Sequence, residues 1–280
     1  MAIDADSTAE YARFWRSPGL PDVDLLTARF VRHRYNRHTH ETYTVALVEA
    51  GVEEYLYDGQ THRVGAGEFA VVEPGVVHTG HAGVPTGWSY RVMYPSVELV
   101  TTIARENGIR GTPAFRMPTL RDTDLAVRFR QAHRAAEDGD QLASSTLLRA
   151  VVSALLLRHS RPARHTATST SAPAALAAQV RDLLHGQLVD PPRLDTLAAM
   201  VEVSPYALVR TFRADYGLPP HAYLNQLRVQ HARSLLAAGV AAGDVAIQVG
   251  FADQPHLTRH FKRAVGVGPA AYQRGVRAVR

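Results

Sequence analysis

The chain has 280 residues, enough for two ordinary domains that each bury their own hydrophobic core. It contains no cysteine, which excludes disulfide bonds and cysteine-ligated zinc. The lack of a long apolar run or a signal-peptide pattern predicts a soluble, cytoplasmic protein with no membrane partner. The formal net charge of +5 lies entirely in residues 172–280, where twelve Arg or Lys residues outnumber seven Asp or Glu residues. Such a basic region favours a polyanionic partner, although a basic surface that serves only solubility is an alternative.

The N-terminal third of the chain has the pattern of short β-strands separated by turns. Residues 42–48 are rich in β-formers, and the segments 53–57 and 61–64 flank Asp58-Gly59-Gln60, a sequence typical of a hairpin turn. A further segment, 69–72, runs into a Glu-Pro-Gly turn. Several short strands with frequent turn signals predict a small β-sandwich or barrel.

Three histidines accompany these strands. His38 and His40 alternate along an extended segment, so both side chains can point to the same face, and His78 can join them inside a barrel. The segments around them, 37–43 and 67–78, are similar to the two motifs of a cupin barrel. This resemblance implies a pocket inside the barrel.

The histidines leave three interpretations open. Three imidazoles with open coordination positions suit a divalent metal such as zinc. Metal-binding cupins place an acidic ligand a few residues after the second histidine, but Thr44 and Val45 occupy that neighbourhood, and Glu41 is expected on the opposite face. The cluster is therefore a metal site, a set of direct polar contacts to an organic ligand, or a group of structural histidines.

The strand-like segment 87–94 adds an aromatic face. Alternation puts Trp88, Tyr90, Val92 and Tyr94 on one side and Arg91 and Met93 on the other. The aromatic side lines a pocket or packs in the core, and an inward Arg91 would favour a carboxylate ligand. The candidate ligand contacts are His38, His40, Tyr43, His78, Trp88, Tyr90 and Arg91, and the candidate metal ligands are His38, His40 and His78.

From residue 96 to about 159 the apolar residues recur at helical spacing. The segments 124–130 and 147–157 carry apolar stripes, and the second is apolar on more than one face. One face would pack on the barrel, while the other would contact a second subunit or be buried within the same chain. Residues 160–173, rich in Ser, Thr, Ala and Pro, predict a flexible linker.

The last hundred residues contain the same helical unit twice, at an offset of 49 positions. Residues 204–213 align with 253–262, and Leu208 and Phe212 of the first copy correspond to Leu257 and Phe261 of the second. A spacing of four residues puts each Leu–Phe pair on one helix face, which we expect to be the core face. A short helix, a turn and a second helix with polar side chains outward predict a helix-turn-helix, here present twice. A long helix over 222–237 would fix the distance between the two copies.

The second copy carries a family resemblance. Residues 250–263, followed by Gly266-Val267-Gly268-Pro269 and Tyr272, resemble the signature of the AraC/XylS transcriptional regulators, and the resemblance covers about residues 174–275. In ligand-responsive members of that family, the usual partner of this region is a cupin-like domain. The resemblance implies that the base-reading positions are Tyr206, Ala207, Arg210, Gln254, Pro255, His256 and Arg259.

Two arginines are the best candidates for base recognition. The guanidinium fork of Arg210 or Arg259 matches the O6 and N7 atoms of guanine. Ala207 and Pro255 can offer little more than apolar contacts. Arg213 and Lys262 would face phosphates or cover the core.

We therefore predict an α+β multidomain protein. Residues 1–95 would form a cupin-like sensor barrel with an N-terminal arm, 96–159 a helical dimerisation region, 160–173 a linker, and 174–280 an all-α domain of two helix-turn-helix units. The expected function is regulation of transcription by sequence-specific binding to double-stranded promoter DNA, controlled by a small-molecule effector. The expected state is a homodimer with no catalytic residues, which contacts RNA polymerase if it is an activator.

Two alternatives accompany this prediction. One is a metal-dependent cupin enzyme fused to a DNA-binding tail, and a divalent metal such as zinc is the one cofactor that the residues suggest. The other is a constitutive DNA binder whose front domain is purely structural.

Overall fold

A computed structural model describes residues 9–161 and 171–277 of the chain. These residues divide into two compact units, of which the first contains all the described strands and the second is helical. Most of the predicted linker, residues 162–170, lies outside the described residues. Among the described helices, none combines the length and the apolar character that a membrane crossing requires.

The first unit is built on a sheet of nine strands. The strand β4 (Thr44–Tyr57) is its centre, because its first half pairs with β6 and β8 and its second half pairs with β5 and β7. The full order is β1-β2-β8-β4-β6-β10, with β3 paired to β7. The other strands are β1 (Tyr11–Arg16), β2 (Val23–Phe30), β3 (Arg34–His38), β5 (Gln60–Gly65), β6 (Glu68–Val72), β7 (His78–Ala82), β8 (Trp88–Pro95) and β10 (Thr119–Arg121), while β9 (Ala114–Phe115) and β11 (Ser160–Arg161) form a separate pair.

The sheet differs from the predicted barrel in two respects. The pairings among the described strands do not close into a ring, so the architecture is an open, barrel-like sheet. The predicted segments 42–48, from residue 44 onwards, and 53–57 are parts of the single strand β4. The predicted hairpin is confirmed: Asp58 and Gly59 both have positive φ, 48° and 76°, as a two-residue turn matching the strand twist requires.

Three helices cover one face of this sheet. They are α1 (Val97–Glu106), α2 (Thr123–Glu137) and α3 (Gln141–His159), which confirm the predicted helical region. Strand alternation sends Leu47, Phe69 and Val71 to this face, where Phe69 meets Phe129 of α2 edge to face at 5.4 Å. The side chains between these residues point to the opposite face of the sheet, away from the helices.

Seven further helices follow among the described residues, and their residues up to Gln273 form the second unit, which has its own core. They are α4 (Ala172–Gly186), α5 (Leu194–Met200), α6 (Pro205–Tyr216), α7 (Pro220–Ala238), α8 (Ala242–Gln248), α9 (Gln254–Val265) and α10 (Pro269–Arg277). The pairs α5–α6 and α8–α9 confirm the two predicted helix-turn-helix units, and α7 confirms the predicted long helix. At 19 residues, α7 is about 28 Å long.

Local sequence signals explain why both copies fold alike. Ser204 and Asp253 are N-caps, whose side chains accept hydrogen bonds from the backbone N–H three residues later. Each second helix has 12 residues, a proline in its first turn and a glycine at its C-terminal end. The Leu–Phe pairs predicted to face the core are fully buried.

The turns of the two copies differ by one residue. The first helices, α5 and α8, begin 48 positions apart, whereas the second helices, α6 and α9, begin 49 apart. The longer second turn contains Gly250 and the buried Phe251. Arg228 of α7 connects the two copies: its Nε and Nη2 donate to the carbonyls of Leu188 and Val189 before α5, and its guanidinium lies 5.7 Å from the Phe251 ring.

Candidate functional site

The sheet face opposite the helices lines a small cavity. Residues from five strands and the segment after β3 reach it, which is possible because β4 pairs on both sides along its length. The cavity has about 40 Å³ of free space, enough for a few atoms rather than a large molecule. Its polar and aromatic lining includes Tyr35, His38, His40, Thr44, Glu53, Tyr55, His78, Tyr90 and Tyr94.

The structure brings the three candidate histidines together at this cavity. The ring centroids of His38, His40 and His78 lie 4.3–4.9 Å from one another, and one nitrogen from each lies within 4.8 Å of the others. Strand β3 supplies His38 and strand β7 supplies His78, and these two residues are paired across the strands. This geometry suits either a metal ion or a polar ligand.

Two of these imidazoles are held in a defined form. The Nδ1 of His38 lies 2.7 Å from the Asn36 carbonyl, and the Nδ1 of His78 lies 2.9 Å from the Val76 carbonyl. Because a carbonyl can only accept, both Nδ1 atoms carry the proton. Burial lowers the pKa of His38 to about 4 and places the pKa of His78 well below its ordinary value. Both rings are therefore neutral near pH 7, and their Nε2 atoms are the unprotonated nitrogens.

Sequence reasoning missed several residues of the cavity, among them Tyr35, Glu53 and Tyr55. The hydroxyl of Tyr35 shares a hydrogen bond of 2.8 Å with that of Tyr90, a predicted contact, and Glu53 and Tyr55 approach from the second half of β4. Burial raises the pKa of the Glu53 carboxyl to about 8. The alternation of Glu53 with Tyr55 signalled a shared face, but only the pairing of β4 with β7 shows which face it is.

Three predicted ligand contacts lie outside the cavity. Tyr43 is in the core, where its hydroxyl donates to the Pro113 carbonyl at 2.6 Å. Trp88 is fully buried against Phe30 and Tyr90 and does not reach the cavity lining. Arg91 points to the opposite face of the sheet, because neighbouring residues of a strand alternate. The side chain of Arg91 therefore does not point into the cavity.

Arg91 instead joins β8 to helix α2. Its Nη1 donates to the Glu137 carboxylate at 2.7 Å and to Nδ1 of His133 at 2.9 Å. Burial opposes ionisation of Glu137, but its contacts with His133 and Arg91 prevail and lower its pKa to about 2. Tyr90 at the cavity and Arg91 at the helix are consecutive residues, so one strand contacts both.

The second unit presents the predicted base-reading positions on the outer faces of α6 and α9. Tyr206 is 77% exposed, and Arg210 and Arg259 are exposed and form no ion pair among the described residues. Gln254, Pro255, Arg213 and Lys262 are also exposed, while Ala207 is half-buried. These side chains lie on α6 and α9 away from the buried Leu–Phe pairs of the two helices.

His256 differs from the other predicted positions because its side chain packs against neighbouring rings. Its ring packs 5.1 Å from Phe251 and 4.9 Å from His260, and it is half-buried. Its backbone N–H donates to the N-cap Asp253 at 2.6 Å. Part of the imidazole is thus engaged in packing at the start of α9.

Two helix-turn-helix units on one basic unit, together with a sheet unit that carries a polar cavity, define a DNA-binding regulator with a ligand-binding domain. Two family models match the chain: an AraC-like ligand binding domain over residues 20–152, and a helix-turn-helix domain over residues 197–275. The chain belongs to the AraC family of transcriptional regulators.

The chain is similar to several named proteins. The chain is 24% identical to YbfI, an HTH-type transcriptional regulator of Bacillus subtilis strain 168, over 85% of this chain and 87% of that protein. It is 25% identical to RhaS, an HTH-type transcriptional activator of Escherichia coli O81 strain ED1a, over 92% and 91%. Among solved structures, ToxT of Vibrio cholerae O395 covers 96% of this chain and 99% of its own, with a TM-score of 0.49 and 12% identity. The two curated relatives are named as transcriptional regulators and give no support to the alternative of a cupin enzyme.

Proposed function

We propose that the chain regulates transcription in response to an effector bound in the cavity of the first unit. The observation that carries this proposal is the convergence of neutral imidazoles, tyrosines and a buried carboxyl on one space, within a domain that matches the AraC ligand-binding model. A cluster of polar groups of this kind is costly to bury without a ligand to satisfy it. We infer that binding there, rather than catalysis, is its role.

The proposed DNA contacts follow the outer faces of α6 and α9. Each helix would lie in a major groove, with Tyr206, Ala207 and Arg210 facing bases in one groove and Gln254, Pro255, His256 and Arg259 in the next. Arg213 and Lys262 would contact phosphates. The different neighbours of Arg210 and Arg259 imply that the two half-sites differ in sequence.

Selection of bound DNA from a random pool tests this assignment. Arg259→Ala should relax the preference at one base position, since a bidentate arginine–guanine pair contributes about 1–3 kcal/mol of discrimination. Lys262→Ala is the matched control on the same helix, and it should weaken binding evenly on all sequences and lower the salt dependence by one phosphate contact. Uniform weakening by Arg259→Ala would assign that residue to the backbone instead.

A metal ion is a second candidate occupant of the cavity, favoured by the geometry of the histidines. His38, His40 and His78 would be its ligands, and the carbonyls that fix the Nδ1 protons of His38 and His78 would act as supporting contacts. Zinc should raise the melting temperature of the wild-type protein but not of His78→Ala. The control is His81→Ala, whose ring pairs with Glu54 outside the cavity. An equal response of all three proteins would exclude this site.

The proposed homodimer would form through α3. This helix buries one face against the rest of the first unit but leaves Leu142 and Leu157 exposed at 78% and 62%. Exposed leucines on one helix are typical of a surface that meets a second subunit. Sedimentation of the wild type and of a Leu142→Glu, Leu157→Glu double variant tests this, and a monomeric wild type would contradict it.

We further propose a cytoplasmic location and, because RhaS is named an activator, contact with RNA polymerase during activation. A promoter fused to a reporter, measured with and without the chain, distinguishes activation from repression. Unchanged output across effectors would favour a constitutive DNA binder.

A further inference from the structure

Glu53 is the most unusual residue of the cavity. It is 7% exposed, and its Oε2 has no hydrogen-bond partner among the described residues. A buried carboxyl without a partner destabilises the protein unless a ligand compensates it. Gly80 on the facing strand leaves room for this carboxyl, since a Cβ at that position would lie 2.9 Å from Oε1. The carboxyl thus has space but no hydrogen-bond partner in the described part of the chain.

Tyrosines surround this carboxyl. Tyr35, Tyr55, Tyr90 and Tyr94 line the same cavity. Burial is the main cause that raises the pKa of Tyr35, Tyr55 and Tyr90. An ionised Glu53 carboxyl adds to each of these increases, so the three phenols lie within electrostatic reach of it. Aromatic rings attract cations through their electron-rich faces. An acidic group among several tyrosines is therefore suited to a positive charge.

The remaining lining argues against an anionic ligand. No Arg or Lys belongs to the described lining of the cavity, and the nearby Arg91 is committed to Glu137 on the other sheet face. A carboxylate or phosphate brought into this space would find neither guanidinium nor ammonium to balance its charge, whereas a ligand with an ammonium group would favour the ionised form of Glu53.

We propose that the effector carries an organic ammonium group, which pairs with the Glu53 carboxylate among the tyrosine rings. This inference rests on the proposed role of the cavity as the effector site. The free space of about 40 Å³ accommodates a small head group, so the ammonium would enter the cavity while the rest of the effector extends from it. Primary amines and quaternary ammonium compounds form the ligand class.

The next residue along the chain provides a matched control. Glu54 points to the other side of β4, where its carboxylate pairs with Arg63 at 3.0 Å and with His81 at 3.4 Å. Glu53→Gln and Glu54→Gln each replace an ionisable carboxyl with an amide and keep the side-chain shape. Only the first substitution changes the cavity.

The test uses the full-length protein and five probes: choline, putrescine, acetate, zinc, and 3,3-dimethylbutan-1-ol, which is the neutral isostere of choline. Binding is followed by titration calorimetry and by the fluorescence of the two tryptophans, of which Trp88 packs 5.8 Å from Tyr90. At least one organic cation should bind the wild type, and the neutral isostere should bind far more weakly. Glu53→Gln should weaken cation binding by about 30-fold or more, as expected for loss of a buried charge partner, while Glu54→Gln should leave it unchanged.

Other outcomes separate this inference from the proposed function. Binding of the alcohol or of acetate that is unaffected by Glu53→Gln would overturn the ammonium assignment while leaving the cavity as the effector site. Binding of zinc that is lost in Glu53→Gln would make Glu53 a metal ligand and would also overturn it. Failure of both organic cations to bind the wild type would count against the ammonium class itself. Because a variant can fail to fold, each is first compared with the wild type by circular dichroism.

Discussion

Arg91, Glu137 and His133 make a buried polar contact between strand β8 and helix α2. The Arg91 side chain is 5% exposed, so its charge depends on the Glu137 carboxylate for compensation. The exposed pair of Arg149 with Glu106 has a similar distance, 2.6 Å, but water screens both partners. Breaking the buried pair should therefore lower the free energy of unfolding more than breaking the exposed pair.

Glu137→Ala should destabilise the first unit by about 3 kcal/mol, because it leaves a buried guanidinium without its counter-charge. Glu106→Ala is the control and should cost less than about 1 kcal/mol. Urea unfolding of the two variants and the wild type measures both free energies. Equal effects would show that Arg91 finds another partner.

The same carboxylate predicts a pH dependence of stability. The pKa of Glu137 is about 2 in the folded protein, below its ordinary value of 4.5. A depressed folded-state pKa stabilises the protein above the unfolded-state pKa, and this stabilisation is lost as the pH falls from about 4.5 towards 2. Urea unfolding between pH 6 and 3 should show that the free energy of unfolding falls less steeply with decreasing pH for Glu137→Ala than for the wild type. Parallel curves would assign the acid loss to other groups, of which Asp122, with a pKa of about 2, is the first candidate.

At the scale of elements, Gly250 controls how the second helix-turn-helix meets the rest of its unit. Its φ of 85° lies in the left-handed region, and a Cβ there would lie 2.7 Å from the Val189 carbonyl oxygen and 2.8 Å from Nη2 of Arg228. A side chain at this position would therefore strain the turn and disturb the hydrogen bonds that Arg228 donates.

Gly250→Ala should lower the free energy of unfolding of the second unit by at least about 1 kcal/mol. Gly243→Ala, in the first turn of α8, is the opposite control, because its φ is ordinary and the nearest atom to the added Cβ would be 3.6 Å away. That change should stabilise the unit by about 0.5–1 kcal/mol through helix propensity. Thermal unfolding monitored by circular dichroism measures both, and stabilisation by Gly250→Ala would refute the strain argument.

The elements of the second unit were predictable because their signals are local. Ser204 and Asp253 mark helix starts, Gly217 and Gly266 mark helix ends, and the repeat shows each signal twice. In the first unit, alternation separated Tyr90 from Arg91 correctly. Glu53 could not be assigned from the sequence, because its position depends on the pairing of β4 with β7, strands about 25 residues apart in the chain. The core position of Tyr43 was missed because it precedes β4, where alternation gives no guide.

At the scale of the whole molecule, the two units have separate hydrophobic cores. One contains Leu47, Phe69 and Phe129, and the other contains Leu208, Phe212 and Leu224. Separate cores lead us to expect two unfolding transitions in calorimetry rather than one. Glu137→Ala should lower only the transition of the first unit, and Gly250→Ala only that of the second. A single transition shifted by both substitutions would mean that the units unfold together.

With the effector in the proposed cavity, strand β8 would constrain how effector recognition changes during evolution. Its residues alternate between the cavity and the helices, so an insertion or deletion of one residue would exchange the two faces, bringing Arg91 into the cavity and Tyr90 against α2. Point substitutions at every second position change one face and leave the other intact. We expect that relatives with different effectors diverge at the positions of Tyr90 and Tyr94 while the length of this strand stays fixed. New specificity would then arise without disturbing the contact of Arg91 with helix α2.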